Sequence, residues 1–66
     1  MKEYAAGEVK FEEIRDTAGP VFIRNEDTEG PEWLEVTSYE EGQDERVVLN
    51  TSIGKFVFDE VETFLF

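Results

Sequence analysis

The chain has no cysteine and no histidine. The first absence excludes a disulfide and a thiolate zinc site. The second removes the usual general base and the commonest metal ligand. Ser38, Ser52 and the threonines therefore have no imidazole or thiol to pair with in nucleophilic catalysis. Lys2, Lys10 and Lys55 stand in no catalytic motif. Carboxylates are so numerous that some pairs must fall close together by chance, so pairing alone does not indicate glycoside hydrolysis. With no complete catalytic set, the chain is expected not to be an enzyme, and no cofactor is expected. Long apolar runs are also missing. Phe56-Val57-Phe58 is as long as any, against the roughly 20 residues of a membrane span. The opening Met1-Lys2-Glu3-Tyr4-Ala5-Ala6 lacks the apolar core of a secretory signal. Together with the missing cysteine, this leads to the expectation of a cytoplasmic protein, in the host cell if a phage encodes it.

Positive charge is scarce too. Six Lys and Arg face seventeen Asp and Glu, a formal net charge of −11. The acids recur from Glu3 to Glu62, with denser groups at Glu26–Glu32 and Glu40–Glu45. Such a field repels a phosphate backbone, whose binding needs Lys and Arg, so direct nucleic-acid binding is not expected. Anionic membranes are disfavoured for the same reason. The complementary partner is a basic protein surface. Acidity also serves solubility, so a structural domain from a salt-adapted organism would look similar.

The 66 residues set one domain, 1–66, as the expectation. A domain this small buries only about 60% of its unfolded surface. Six Phe, two Tyr and one Trp supply the area a small core needs.

Along the chain, Val9 and Phe11 alternate with Lys10 and Glu12. With one bulge before Ile14 this reads as a strand from Glu8 to Asp16. Thr17-Ala18-Gly19-Pro20 is a turn and Val21–Arg24 a second strand. Asn25–Pro31 is polar, ends in Gly-Pro and reads as a loop. Glu32–Tyr39 and Glu45–Thr51 form a hairpin around Glu40-Glu41-Gly42-Gln43-Asp44. Lys55–Phe58 is a further strand. After it, Asp59 with Glu62 three residues on has the pattern of a capping box, and Val57, Val61 and Phe64 fall at helical spacing, which favours a short C-terminal helix over a strand. The fold class is mainly β: a small curled antiparallel sheet, or an OB-like or SH3-like barrel, of four to five strands.

The two acidic loops do not have the alternating acids and central glycine of a calcium loop, so no metal is expected. The third strand is more informative. Alternation puts Trp33, Glu35, Thr37 and Tyr39 on one face and Leu34, Val36 and Ser38 on the other. If Leu34 and Val36 point to the core, Trp33 and Tyr39 flank Glu35 outside, a hot-spot composition for protein binding. The competing and commoner arrangement buries Trp33 at the centre of the core.

Residues Leu34 to Ser52 resemble the central hairpin of the phage uracil-DNA glycosylase inhibitor family. The shared elements are Thr37, Tyr39, the acids Glu41, Asp44 and Glu45, then Val47, Leu49 and Thr51-Ser52. Glu12-Glu13-Ile14 falls where that family carries a Glu-Ser-Ile motif. The resemblance implies a small acidic DNA mimic whose motif Glu enters an enzyme's DNA groove from a strand edge and whose apolar pocket holds a leucine of the enzyme. The chain departs from that family in lacking its first helix, in reading as strand over Gly19–Ile23 where the family has its second, and in carrying Asn50 at an apolar pocket position, although Val48 keeps one. Gly30-Pro31-Glu32-Trp33-Leu34, the acidic hairpin and Arg46–Asn50 are also similar to small phage OB-like single-strand DNA-binding modules. Those stack bases on aromatics in a basic groove. Phe22, Trp33 and Tyr39 would supply the rings, but Arg15, Arg24, Arg46 and Lys55 are the only cations for the groove.

The leading expectation is a non-catalytic acidic interaction domain, in its sharpest form a phage DNA mimic that inhibits a DNA-acting enzyme. Its contact residues are expected to be Glu12, Glu13, Trp33, Glu35, Tyr39, Glu40, Glu41, Asp44, Glu45 and Val48. The alternatives are the OB-like nucleic-acid binder and the salt-adapted structural domain.

Overall fold

Local patterning and long-range pairing compete in a chain this short, and pairing decides its two ends. In the computed structural model, which describes residues 1–26, 33–42, 44 and 46–66, the chain forms β1 (Glu3–Ala5), a 3₁₀ turn (Ala6–Glu8), α1 (Phe11–Arg15), β2 (Phe22–Arg24), β3 (Leu34–Glu41), β4 (Val47–Thr51), β5 (Gly54–Val57), a second 3₁₀ turn (Phe58–Glu60) and β6 (Thr63–Leu65). The fold is mainly β. Six antiparallel strands lie in one unclosed sheet, in the order β1-β6-β2-β3-β4-β5. Of the two forms expected, the open sheet is the one found, with six strands rather than four or five.

The middle of the chain follows its alternation. In β3, Leu34 and Val36 are buried and Glu35 and Thr37 exposed. In β4, Leu49 is fully buried between less buried neighbours. The β4–β5 hairpin closes on the Thr51–Gly54 pair. Gly54 has φ 144°, a backbone conformation open almost only to glycine. The expected loop at Asn25–Pro31 and the strand starts at Glu32 and Glu45 fall wholly or partly on residues 27–32 and 45, outside the described residues.

Three expectations are corrected. Glu8–Asp16 is not a bulged strand but a turn followed by α1. Phe11 and Ile14 stand three apart, which puts both on one helical face, and Ile14 is 1% exposed in the core. Local bonds favour the helix as well. The Glu13 carboxylate accepts from the Lys10 N–H at 3.1 Å, and the Thr17 hydroxyl donates to the Glu13 carbonyl at 2.7 Å. The first strand is instead Glu3–Ala5, too short to announce itself.

The third correction is the C-terminus, which is strand and not helix. Only Phe58–Glu60 turns, as 3₁₀. Thr63-Phe64-Leu65 then pairs with β1 on one side and β2 on the other. Pairing on both edges satisfies its backbone and overrides a weak helical spacing. Asn25 holds the approach: its amide donates to the Glu60 carbonyl at 3.3 Å and its carbonyl accepts from the Glu62 N–H at 2.7 Å. The Glu62 carboxylate accepts from the Glu26 N–H at 3.3 Å.

One face of the sheet, covered by α1, makes the core of Val9, Ile14, Val21, Ile23, Leu34, Val36, Leu49, Val61 and Phe64. Phe64 and Leu49 are both 0% exposed. Truncating a ring such as Phe64 costs roughly 3–5 kcal/mol. That is about the whole net stability of a domain this small.

Candidate interaction face

The opposite face of the sheet is made of residues that alternate with the core. On β3 these are Glu35 and Thr37, and after the β-bulge between Val36 and Ser38 they are Ser38 and Glu40. On β4 they are Val48 and Asn50, opposite Glu40 and Ser38. On β5 they are Lys55 and Val57, opposite Asn50 and Val48. On β2 and β6, Phe22, Arg24, Thr63 and Leu65 flank the buried Ile23 and Phe64. Phe22, Trp33, Val48, Val57 and Leu65 are half-buried and do not belong to the set packed against the core.

The structure brings Trp33, Glu35, Glu40 and Val48 of the expected contact residues to this one side. Glu12, Glu13, Tyr39 and Glu41 lie elsewhere. The bulge adds one residue to β3, which reverses the alternation and turns Tyr39 to the core side. There its ring meets Phe11 edge-on, with centroids 5.5 Å apart. Burial raises the Tyr39 phenol above its ordinary value. The bulge itself is bonded by side chains. Thr37 donates to the Asn50 carbonyl at 3.1 Å, and the Asn50 amide donates to Ser38 Oγ at 2.9 Å.

Glu12 and Glu13 are exposed on α1, across the core from this face. The resemblance implied a strand edge for them, and the helix removes that presentation. Glu41 is exposed at the end of β3 on the core side, and its charge reaches Arg15. Arg15 is held above its ordinary value first by its hydrogen bond to Asp16, 3.2 Å long, and then by that residue's charge. Asp44 is exposed in the hairpin turn. Glu45 lies outside the described residues.

Trp33 is not the centre of the core. It is half-buried at the start of β3, with the Arg24 guanidinium 4.4 Å from its ring centroid. Arg24 Nη2 also lies 4.0 Å from Glu3 Oε1. Glu40 has a partner on the same face, Lys55 Nζ at 2.9 Å. That hydrogen bond, and next the Lys55 charge, hold the Glu40 carboxyl below its ordinary value. Glu3 and Leu65 belong to the face but were not indicated by sequence, because only the register of β1, β6 and β2 aligns them. Phe22 and Arg24, a candidate stacking ring and groove cation in the sequence, are brought together by the two-residue alternation of their strand.

Among the described residues, no group of three or more carboxylates is gathered as a metal site, and no helix is long and apolar enough to cross a membrane. No protein-family model, no curated protein and no solved structure matches the chain.

Proposed function

We propose that the chain is a non-catalytic interaction domain that meets a basic protein through the outer face of its sheet. In its most specific form it is a phage DNA mimic that occupies the DNA-binding groove of a DNA-acting enzyme in the host cytoplasm. The observation that carries this reading is the shared side of Trp33, Glu35, Glu40 and Val48, where apolar side chains not packed into the core stand beside carboxylates. A mimic needs both: charge to replace phosphates and an apolar contact to hold register. The net charge of −11 steers a basic groove toward the domain over distances of about a Debye length.

The test is an inhibition screen against DNA glycosylases, nucleases and polymerases with excess DNA as competitor. The expected result is inhibition that DNA relieves. The E35K/E40K variant should mainly slow association, because rim charges steer encounter. Trp33→Ala should mainly speed dissociation, at a cost of roughly 2 kcal/mol or more. No inhibition by the parent protein, or equal inhibition by the charge-reversed variant, would contradict the reading.

A second reading draws on one observation. Arg24 stacked on Trp33, with Phe22 two residues away on the same face, is a platform on which single-stranded bases could stack. Six basic residues among seventeen acids weigh against it. Saturable, salt-sensitive binding of a labelled single-stranded oligonucleotide at micromolar protein would favour it over the mimic.

A further inference from the structure

Four strands align one outward row of side chains. The registers pair Glu3 with Leu65, Leu65 with Phe22, and Phe22 with Glu35. The row therefore reads carboxylate, leucine, phenylalanine, carboxylate across β1, β6, β2 and β3. The neighbouring row of Phe64, Ile23 and Leu34 is buried, which fixes the first row on the side away from the core. Phe22 and Leu65 are half-buried and outside the set packed on the core. Adjacent strands are spaced by about 4.8 Å, so the two carboxylate positions stand about 14 Å apart. An extended chain advances about 3.4 Å per residue and returns every second side chain to the same side, so its positions i and i+4 are also about 14 Å apart, with i+2 midway.

We infer that this row docks an extended segment of a basic protein in the pattern cation-x-apolar-x-cation. The segment crosses the strands, seats its apolar side chain on Phe22 and Leu65, and sets its cations against Glu3 and Glu35. The inference rests on the outer face being the partner-binding face, and it adds the conformation and spacing of what binds. Charge selects the occupant: carboxylates at both ends repel a phosphate backbone, and a second copy of a chain with net charge −11 is repelled as well. Arg24 is the nearest competitor for Glu3. Their contact is long, 4.0 Å, and the Glu3 side chain is 59% exposed, so an incoming guanidinium can share or replace it at little cost.

The test titrates the ¹⁵N-labelled full chain with the synthetic peptide acetyl-Gly-Arg-Ser-Leu-Ser-Arg-Gly-amide, and with an isomer whose two arginines are adjacent. The expected result is saturable movement of the Glu3, Phe22, Glu35 and Leu65 amide signals. E3Q/E35Q should weaken the first peptide roughly fivefold to tenfold, as the loss of two exposed ion pairs implies. The isomer should be weaker by a similar factor. E12Q/E13Q, with the same change in net charge on α1, should bind as the parent does. Equal binding of the two peptides, an equal loss in E12Q/E13Q, or no saturable movement in the row would overturn the inference. If the peptide fails while a DNA-acting enzyme is still inhibited, the inference falls and the functional reading stands. If the peptide maps to the row while no such enzyme binds, the mimic falls and the row stands.

Discussion

Lys55 and Glu40 show how one contact sets a titration on the outer face. The Lys55 ammonium donates to the Glu40 carboxylate at 2.9 Å, which favours the charged form and lowers the carboxyl's pKa. Replacing Lys55 with Met should move the Glu40 carboxyl back up toward the ordinary range, as read by side-chain ¹³C NMR titration. An unchanged titration would show that the pair is not formed in solution. Tyr39 titrates in the opposite sense. Burial raises its phenol, so its neutral form is favoured in the folded state. Its contribution to stability is complete below the ordinary phenol value of about 10 and is lost as pH rises through the raised folded value. Urea melts of the parent and Tyr39→Phe should therefore differ in slope above pH 10, with the parent losing stability faster. Parallel loss in both would mean that Tyr39 is solvated. The residue scale also shows why the contact face was only partly legible. Trp33 and Glu35 followed from alternation and Val48 from the family resemblance, but the sides of Tyr39 and Glu40 did not follow, because a bulge between Val36 and Ser38 reverses alternation without a mark in composition, turning Tyr39 inward and Glu40 outward.

Among the elements, legibility tracked how far each depends on distant partners. β2 to β5 carry their own signals, in β-branched and aromatic residues, in alternation and in the hairpin residues around Gly42. β1, α1 and β6 do not. β1 and β6 have three residues each, and β6 is a strand because β1 and β2 flank it. Its Val61 and Phe64 spacing suits a helix as well as the buried positions they occupy. The entry to β6 depends instead on the Asn25 side chain, which bonds Glu60 and Glu62 across more than thirty residues of sequence. Asn25→Ala removes both bonds and should cost roughly 1–3 kcal/mol. Chemical denaturation measures that directly, and hydrogen exchange should show earlier opening of Thr63–Leu65 than in the parent. A variant as stable as the parent would mean that the register of β6 is fixed by its strand partners alone.

At the scale of the whole molecule, charge and core pull against each other. Among the described residues, the ion pairs Arg15–Asp16, Arg24–Glu3 and Lys55–Glu40 lie at the surface, and the chain's net charge is −11. Surface pairs of this kind contribute little to stability. Mutual repulsion of the remaining carboxylates should therefore limit a fold whose core is small, and salt should relieve it by screening. The melting temperature is expected to rise between low salt and about one molar. A flat or falling response would mean that the acids are compensated within the fold.

On the proposed reading, a basic, DNA-acting protein is met on the sheet face away from the core. It is tested most directly by mapping the ¹⁵N-labelled chain against the enzyme from the inhibition screen that it binds most tightly. Signals of Phe22, the Trp33 indole, Glu35, Glu40, Val48 and Leu65 are expected to shift or broaden, those of Leu49 and Phe64 to stay, and added duplex DNA to reverse the change. Changes confined to Glu12 and Glu13 on α1 with the sheet face untouched, or a screen in which no enzyme binds, would contradict it.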